Sequence, residues 1–245
     1  MTTLQTTCKS CGTEMETEIP EGVVAERTLK NLWENAVICD DCFNKIEAKR
    51  NTKTDHQKWE ELKRKAEHAG LPVGLLSWSK EMGNNDLLAR VYENRGKSLF
   101  LAGPQRTGKT RSIVRTCATM LWHHAIEGSE LVYLTMPALR KKVSSLARSD
   151  DYGSEEKFYK RLDRSVLLII DDMDKGAMTD AGLEALWRIV DDRVVSGRQL
   201  WVTANEGGQG MVKKWVQGHD HRIETAEAIR ARLAEICSVI TVEKQ

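Results

Sequence analysis

Downstream of residue 73 the chain alternates short apolar runs with longer amphipathic stretches. That is the pattern of a parallel sheet whose strands are joined by crossover helices. The runs predict strands at 98–102, 131–135, 166–170, 200–203 and 238–242, and the stretches between them predict helices at 109–127, 138–148, 179–196 and 222–236. Ser196-Gly197-Arg198 puts a glycine where a helix stop needs one. The segment 206–219, with four glycines, reads as a loop. Upstream, residues 45–69 are polar and helix-prone, with Ile46, Trp59, Leu62 and Ala66 as the few apolar positions. Gly70-Leu71-Pro72 ends that helix, because a proline pushes the residue before it out of the helical region. Residues 1–44 hold little apolar material. The expected architecture is α/β: a five-stranded parallel sheet flanked by helices within residues 73–245, a basic helical linker at 45–72, and a small amino-terminal module at 1–44.

Composition narrows the class. A chain of 245 residues with 40% hydrophobic and 30% charged residues is an ordinary globular protein. Its longest apolar stretch, 166–170, is too short to cross a bilayer. Residues 1–7 lack the basic and apolar regions of a secretory signal. A cytoplasmic protein with no membrane partner is expected. The net charge of +1 gives no whole-chain argument for nucleic acid, so a basic surface has to be local. Six cysteines in a reducing compartment read as thiols or metal ligands rather than disulfides. Cys117 and Cys237 stand alone in apolar segments and read as small core residues.

The candidate chemistry begins where the first of these strands ends. Gly103-Pro104-Gln105-Arg106-Thr107-Gly108-Lys109-Thr110 fits G-x-x-x-x-G-K-[ST] at every fixed position. Glycines let the backbone curl until successive N–H groups point at a β-phosphate. Lys109 then reaches the β- and γ-phosphates and the Thr110 hydroxyl binds Mg²⁺. The helix that starts here, with Arg111 in its first turn, adds its positive end. A P-loop also needs a second strand ending in a carboxylate to hold the magnesium. The run 166–170 supplies it: continuous apolar residues mark a strand buried on both faces, with Asp171 at its tip as the magnesium carboxylate. Asp172 is placed to polarise the attacking water. The strand 200–203 leads to Thr203 and Asn205, either of which can reach the γ-phosphate or that water, because strand ends in such sheets converge on one crevice. No Asn-Lys-x-Asp guanine signature is present, so ATP is the expected nucleotide.

With these residues in order, the chain resembles the DnaC/IstB group of AAA+ ATPases, the replicative helicase loaders and transposition helpers. The resemblance covers residues 70–242. It rests on the P-loop, on Leu168-Ile169-Ile170-Asp171-Asp172, on residues 186–193, on Trp201-Val202-Thr203-Ala204-Asn205 and on Ile229-Arg230-Ala231-Arg232-Leu233. It implies a P-loop AAA+ fold without a C-terminal helical lid, since the chain closes just after its fifth strand. It also implies roles: Asn205 as the first sensor, and Arg232 as an arginine finger that reaches a neighbouring subunit's γ-phosphate, with Arg230 as the alternative. Arg193 matches a family arginine placed toward the subunit interface. Homo-oligomers formed with ATP follow from the finger. Two departures weigh on this. The family usually has Glu where this chain has Asp172, which suits a slow timing switch better than a motor. The Ser-Tyr-Arg that often follows the last strand is absent, and the chain closes on Glu243-Lys244-Gln245, so no second sensor is expected there.

The amino-terminal residues carry a separate signal. Cys8, Cys11, Cys39 and Cys42 form two C-x-x-C pairs separated by 27 residues, the donor set of a structural zinc ribbon. A segment this small lacks an adequate apolar core, so a metal would hold it together. Residues 1–44 carry eight carboxylates against Lys9, Arg27 and Lys30, a net of −5, and four thiolates around Zn²⁺ add further negative charge. Such a surface repels phosphate, which points to a protein partner. Residues 45–69 invert the balance with eight basic and five acidic side chains. The segment 137–164 does likewise and includes Arg140-Lys141-Lys142, candidates for phosphate contacts to single-stranded DNA, with a solvated helix face as the alternative. The expectation is an ATP-dependent helicase loader that grips a replicative helicase through residues 1–69 and single-stranded DNA through its ATPase assembly. A transposition helper on duplex DNA and a non-hydrolysing zinc adaptor stabilised by nucleotide stand as alternatives.

Overall fold

The computed structural model describes residues 2–8, 10–19, 41–42, 54–76, 85–148 and 152–243. The chain divides into two units, Met1–Glu60 and Glu61–Gln245. In the first, β1 (Thr2–Thr7) and β2 (Glu14–Ile19) form an antiparallel hairpin whose register runs from Thr2↔Ile19 to Thr7↔Glu14. Threonine-rich sequence suits such a ribbon, since branched side chains fit a pleated surface. The connection is closed by Cys8 N donating to Thr13 O and Gly12 N donating to Cys8 O, both at 2.8 Å, with Gly12 at φ 75°.

Helix α1 (Asp55–Ala69) begins with a reciprocal cap. Thr54 N donates to Gln57 Oε1 at 2.9 Å while Gln57 N donates to Thr54 Oγ1 at 3.3 Å, which satisfies two donors that a helix start leaves open. It stops at Gly70, in the left-handed region at φ 81°, where a Cβ would stand 2.8 Å from Tyr133 O. Leu71 N donating to Ala66 O and Gly70 N donating to Glu67 O complete the cap.

In the second unit, α2 (Asn85–Glu93) leads into a parallel sheet. Among the described residues it contains β3 (Ser98–Ala102), β4 (Leu131–Thr135), β5 (Leu167–Asp171), β6 (Gln199–Ala204) and β7 (Cys237–Thr241), in the spatial order β4-β5-β6-β3-β7. The crossovers are α3 (Lys109–Trp122), α4 (Met136–Leu146), α5 (Tyr152–Arg164), α6 (Asp180–Ser196), α7 (Gln209–Val216) and α8 (Ile223–Ile236). Every residue of β5 and β6 is buried. This is why these strands read as unbroken apolar runs rather than as alternation. Each strand lies within one or two residues of its expected place, and Gly197, at φ 64°, ends α6 as expected. Cys117 and Cys237 are both buried.

One expectation is overturned. Residues 206–219 are not simply a loop, because Gln209–Val216 forms α7. Met211, Val212, Trp215 and Val216 fall at helical spacing and are all buried. Trp215 is further fixed by its Nε1 donating to Met173 O at 2.9 Å. The glycines flank the helix more than they break it, and burial of one apolar face outweighs their weak propensity. Helix α5 likewise occupies a segment whose sequence speaks mainly through its charge.

Candidate functional site

The site is assembled at the carboxyl ends of β3, β5 and β6. After β3 the backbone turns at Gly103, whose position admits no side chain: a Cβ there would lie 2.2 Å from Val242 O. The loop continues through Arg106 at φ 65° and Gly108 at φ 89°, and Gly108 caps the start of α3. Thr107 Oγ1 closes the curl by donating to Pro104 O at 2.9 Å. The first-turn N–H groups of α3 and its positive end therefore face the concavity, which suits an anion. Gln105 to Arg111, Leu75, Asp172, Lys175 and Asn205 line a cleft of about 440 Å³ there.

Lys109 is buried, with 6% of its surface exposed. Its ammonium donates to Gly103 O at 2.6 Å, to Pro104 O at 2.7 Å and to Asn205 Oδ1 at 3.4 Å. Burial holds its pKa below the usual lysine value, opposed by the carboxylates of Asp172, Asp174 and Asp171 and assisted by the charge of Lys175. Thr110 Oγ1 donates to both oxygens of Asp171, at 2.9 and 3.1 Å. Asp171 also accepts from Tyr133 at 2.6 Å and from Thr203 at 2.5 Å. Three hydroxyls thus fix one carboxylate at the strand tip. Burial, followed by Asp171 itself, pushes the Tyr133 phenol well above its ordinary pKa, so it remains a donor.

Asp172 and Asn205, adjacent in role by expectation, are held differently. Asp172 adopts φ 57°, with its N–H on Thr203 Oγ1 at 2.8 Å and its Oδ2 2.5 Å from Lys175 Nζ. Asn205 is fixed by Asp174, a carboxylate with 1% of its surface exposed. Asp174 Oδ1 accepts from Asn205 N at 2.9 Å and Nδ2 at 3.3 Å, while its Oδ2 accepts from Lys214 Nζ at 2.9 Å. Burial alone would raise the Asp174 pKa, but Lys214 and the backbone N–H groups more than offset that and hold it below the usual carboxylate range. The amide of Asn205 is thereby oriented with its oxygen toward Lys109.

The structure brings Gly103 to Arg111, Asp171, Asp172, Thr203 and Asn205 to one place. Tyr133, Asp174, Lys175 and Lys214 belong to the same cluster, although sequence reasoning does not find them. The hint of Asp174 and Lys175 is the continuation of Asp171-Asp172 into Met173-Asp174-Lys175. The arginines fall elsewhere. Arg193 has 1% of its surface exposed and donates to Ser165 O and Ser165 Oγ, each at 2.7 Å, and to Leu162 O. That corrects its expected placement at a subunit interface: it ties α6 to the end of α5 within one chain. Arg230 pairs with Glu227 at 2.6 Å, and Arg232 with Asp191 at 3.2 Å and Glu235 at 3.0 Å. Of the basic trio on α4, Arg140 donates to Ala177 O at 2.6 Å and packs against Gly176, whereas Lys141 and Lys142 are exposed.

In the first unit, ligand atoms of Cys8, Cys11 and Cys42 lie within 4.8 Å of one another. Ser10 N donates to Cys8 Sγ at 3.4 Å, a bond that favours the thiolate. Three convergent sulfurs are a soft donor set that fits zinc. Cys39 lies outside the described residues. No helix among the described residues is long and apolar enough to cross a membrane.

A parallel sheet in which one inner strand, β3, runs through a Gly103–Thr110 loop into a helix, with a carboxylate at the tip of another strand, defines the P-loop class. No protein-family model and no curated protein sequence matches the chain. Solved structures do. The DnaC helicase loader is 19% identical, with 72% of this chain and 98% of that one covered at a TM-score of 0.50. DnaI is 15% identical, with 72% and 93% covered at 0.54. A DNA replication initiation factor is 14% identical, with 70% of this chain but only 49% of its own length covered, at 0.51. The fold is that of the DnaC-type P-loop AAA+ domains.

Proposed function

We propose that the protein is an ATP-dependent helicase loader of DNA replication, with ATP hydrolysis as a slow switch. The observation that carries the reading is the convergence of Lys109, Thr110 and Asn205 on one cleft, with Asp171 bonded to Thr110, within a fold shared with DnaC and DnaI. In this reading residues 73–245 are the ATPase domain, 45–72 the linker, and 1–44 the partner-binding module.

The cleft fits a nucleotide triphosphate bound with magnesium. Thr110 and Asp171 offer hard oxygen donors side by side, the chemistry that Mg²⁺ prefers. When bound, the ion supplies charge neutralisation at the phosphate oxygens. The chain's own residues do the rest. The loop N–H groups and Lys109 orient the phosphates, Asn205 holds a polar contact beside Lys109, and the Asp172 carboxylate accepts a proton from water. Tyr133 and Thr203 keep Asp171 from rotating. Cys8, Cys11, Cys39 and Cys42 hold one zinc that stabilises the amino-terminal module, and its acidic surface docks a replicative helicase rather than DNA. Exposed Lys141 and Lys142 contact single-stranded DNA in an oligomer formed with ATP, in the cytoplasm.

The test is a reconstitution. The full chain, its host's replicative helicase and a circular single strand are combined, and helicase retained on the circle is measured. Retention that needs both the protein and ATP supports the reading. Retention equal without the protein, together with transposase recruitment on duplex DNA, would move it to a transposition helper.

A further inference from the structure

Lys175 is a cation in the cleft that neither the P-loop pattern nor the family resemblance assigns. It lines the cleft with Lys109, Thr110, Asp172 and Asn205. Its side chain is half exposed, and its Nζ lies 2.5 Å from Asp172 Oδ2. A tight turn sets this pair, with Lys175 N donating to Asp172 O at 2.9 Å. Asp172 stands in the left-handed region at φ 57°, a conformation that residues other than glycine keep only where their surroundings impose it. Thr203 imposes it here: its Oγ1 accepts from Asp172 N and its carbonyl accepts from Met173 N, each at 2.8 Å. The turn that carries both Asp172 and Lys175 is therefore a fixed feature of the site.

Resting on the nucleotide reading of this cleft, the geometry points to Lys175 as a cation shared between the Asp172 carboxylate and the γ-phosphate of ATP, so that a bound triphosphate draws it off Asp172 and leaves that carboxylate available to water. Three observations carry this. The turn after the carboxylate strand is where a P-loop site meets the γ-phosphate and the attacking water. Lys109 and Lys175 line the same cleft, so two like charges share one space and repel. An anion between two ammonium groups relieves that repulsion. Finally, Asp172 is the stronger reason Lys175 keeps its proton, with burial opposing it, so Lys175 is charged when a phosphate arrives. A diphosphate does not extend to this position. Lys175 thus selects ATP over ADP and couples that choice to Asp172.

The experiment titrates the full chain with Mg²⁺ and either a non-hydrolysable ATP analogue or ADP, by calorimetry. Lys175→Gln should weaken the ATP analogue by roughly five- to twentyfold, the scale of one charge-assisted phosphate contact. ADP affinity should change by less than about twofold, and Lys175→Arg should retain most of the preference. Asp172→Asn should strengthen the ATP preference by roughly two- to fivefold by removing the competitor, and the gain should vanish in the double variant. Equal loss of both nucleotides in Lys175→Gln, or no loss of either, overturns the proposal. Lys109→Ala separates the two readings: it should lose both nucleotides, and if it binds both as the parent does, the P-loop reading itself fails.

Discussion

Arg193 offers the sharpest separation between a role within one chain and a role between subunits. Truncation to Ala removes a buried guanidinium and its bonds to Ser165 O, Ser165 Oγ and Leu162 O, the last of which still accepts from Ser165 N and Ser165 Oγ. Burial already pulls the guanidinium pKa down to about 10, with Asp192 opposing, so the group is charged at neutral pH and its loss is the loss of a desolvated, bonded charge. Removing the donor from buried neutral acceptors costs about 1–3 kcal/mol. In a domain of this size each kcal/mol moves the melting midpoint by about 2–4 °C, so Arg193→Ala should melt about 2–12 °C lower. Arg193→Lys keeps the charge but cannot form the same fork of bonds, and should fall between Ala and the parent. Differential scanning fluorimetry of the three proteins at equal concentration reads this directly. If both variants melt with the parent while hydrolysis falls, Arg193 acts at an interface and its assignment as an intrachain tie is wrong.

Two further outcomes test the sites. Lys109→Ala should abolish tight ATP binding in a nucleotide titration while leaving the zinc content unchanged, because the loop carbonyls it bonds belong to a backbone held by Gly103 and α3. Cys8→Ser should reduce zinc from one per chain to well below one by elemental analysis, since one of three convergent sulfurs is gone; metal-free parent protein purified without chelator would remove the zinc reading.

The fold is legible in the sequence because parallel strands buried on both faces are written as continuous apolar runs, and β5 and β6 are the plainest cases. The P-loop is legible because its chemistry needs fixed spacing over eight consecutive residues. What cannot be read depends on residues distant in sequence. Asp174 looks like one more acid at a strand end until β6 brings Asn205 within 2.9 Å and α7 brings Lys214 to the same distance. Tyr133 reads as a core aromatic until Asp171 lies beside it. Arg193 sits on a helix whose Asp180, Glu184 and Arg188 are exposed, and only the carbonyls at the end of α5 explain its burial. Helix α7 is hidden when glycine count is weighed above the apolar spacing of Met211, Val212, Trp215 and Val216.

The choice between Arg232 and Arg230 as the arginine that completes a neighbour's site turns on what each would give up. Both are paired at present, but exposed pairs are weak because water screens them, so pairing disqualifies neither. Their partners differ. Glu227 lies one turn before Arg230 on the same helix, so releasing this pair breaks no ion pair between helices. Arg232 reaches across to Asp191 on α6 and stands 6.0 Å from the Trp187 ring, and its departure would slacken the α6–α8 contact. A finger at 232 therefore couples a neighbour's phosphate to the packing of these two helices, whereas a finger at 230 does not. If Arg232 is the finger, Arg232→Ala should bind ATP as the parent does yet lose hydrolysis by about 10³-fold or more, the usual worth of such a group. Mixing it with Lys109→Ala should restore part of the activity, since an intact P-loop on one subunit then meets an intact arginine on the other. Specific activity should also rise with protein concentration. Activity that is indifferent to mixing and concentration would place the whole reaction in one subunit, where Lys175 is the cation beside Asp172. Loss in Arg230→Ala with none in Arg232→Ala would move the role to the side chain whose release breaks no ion pair between helices.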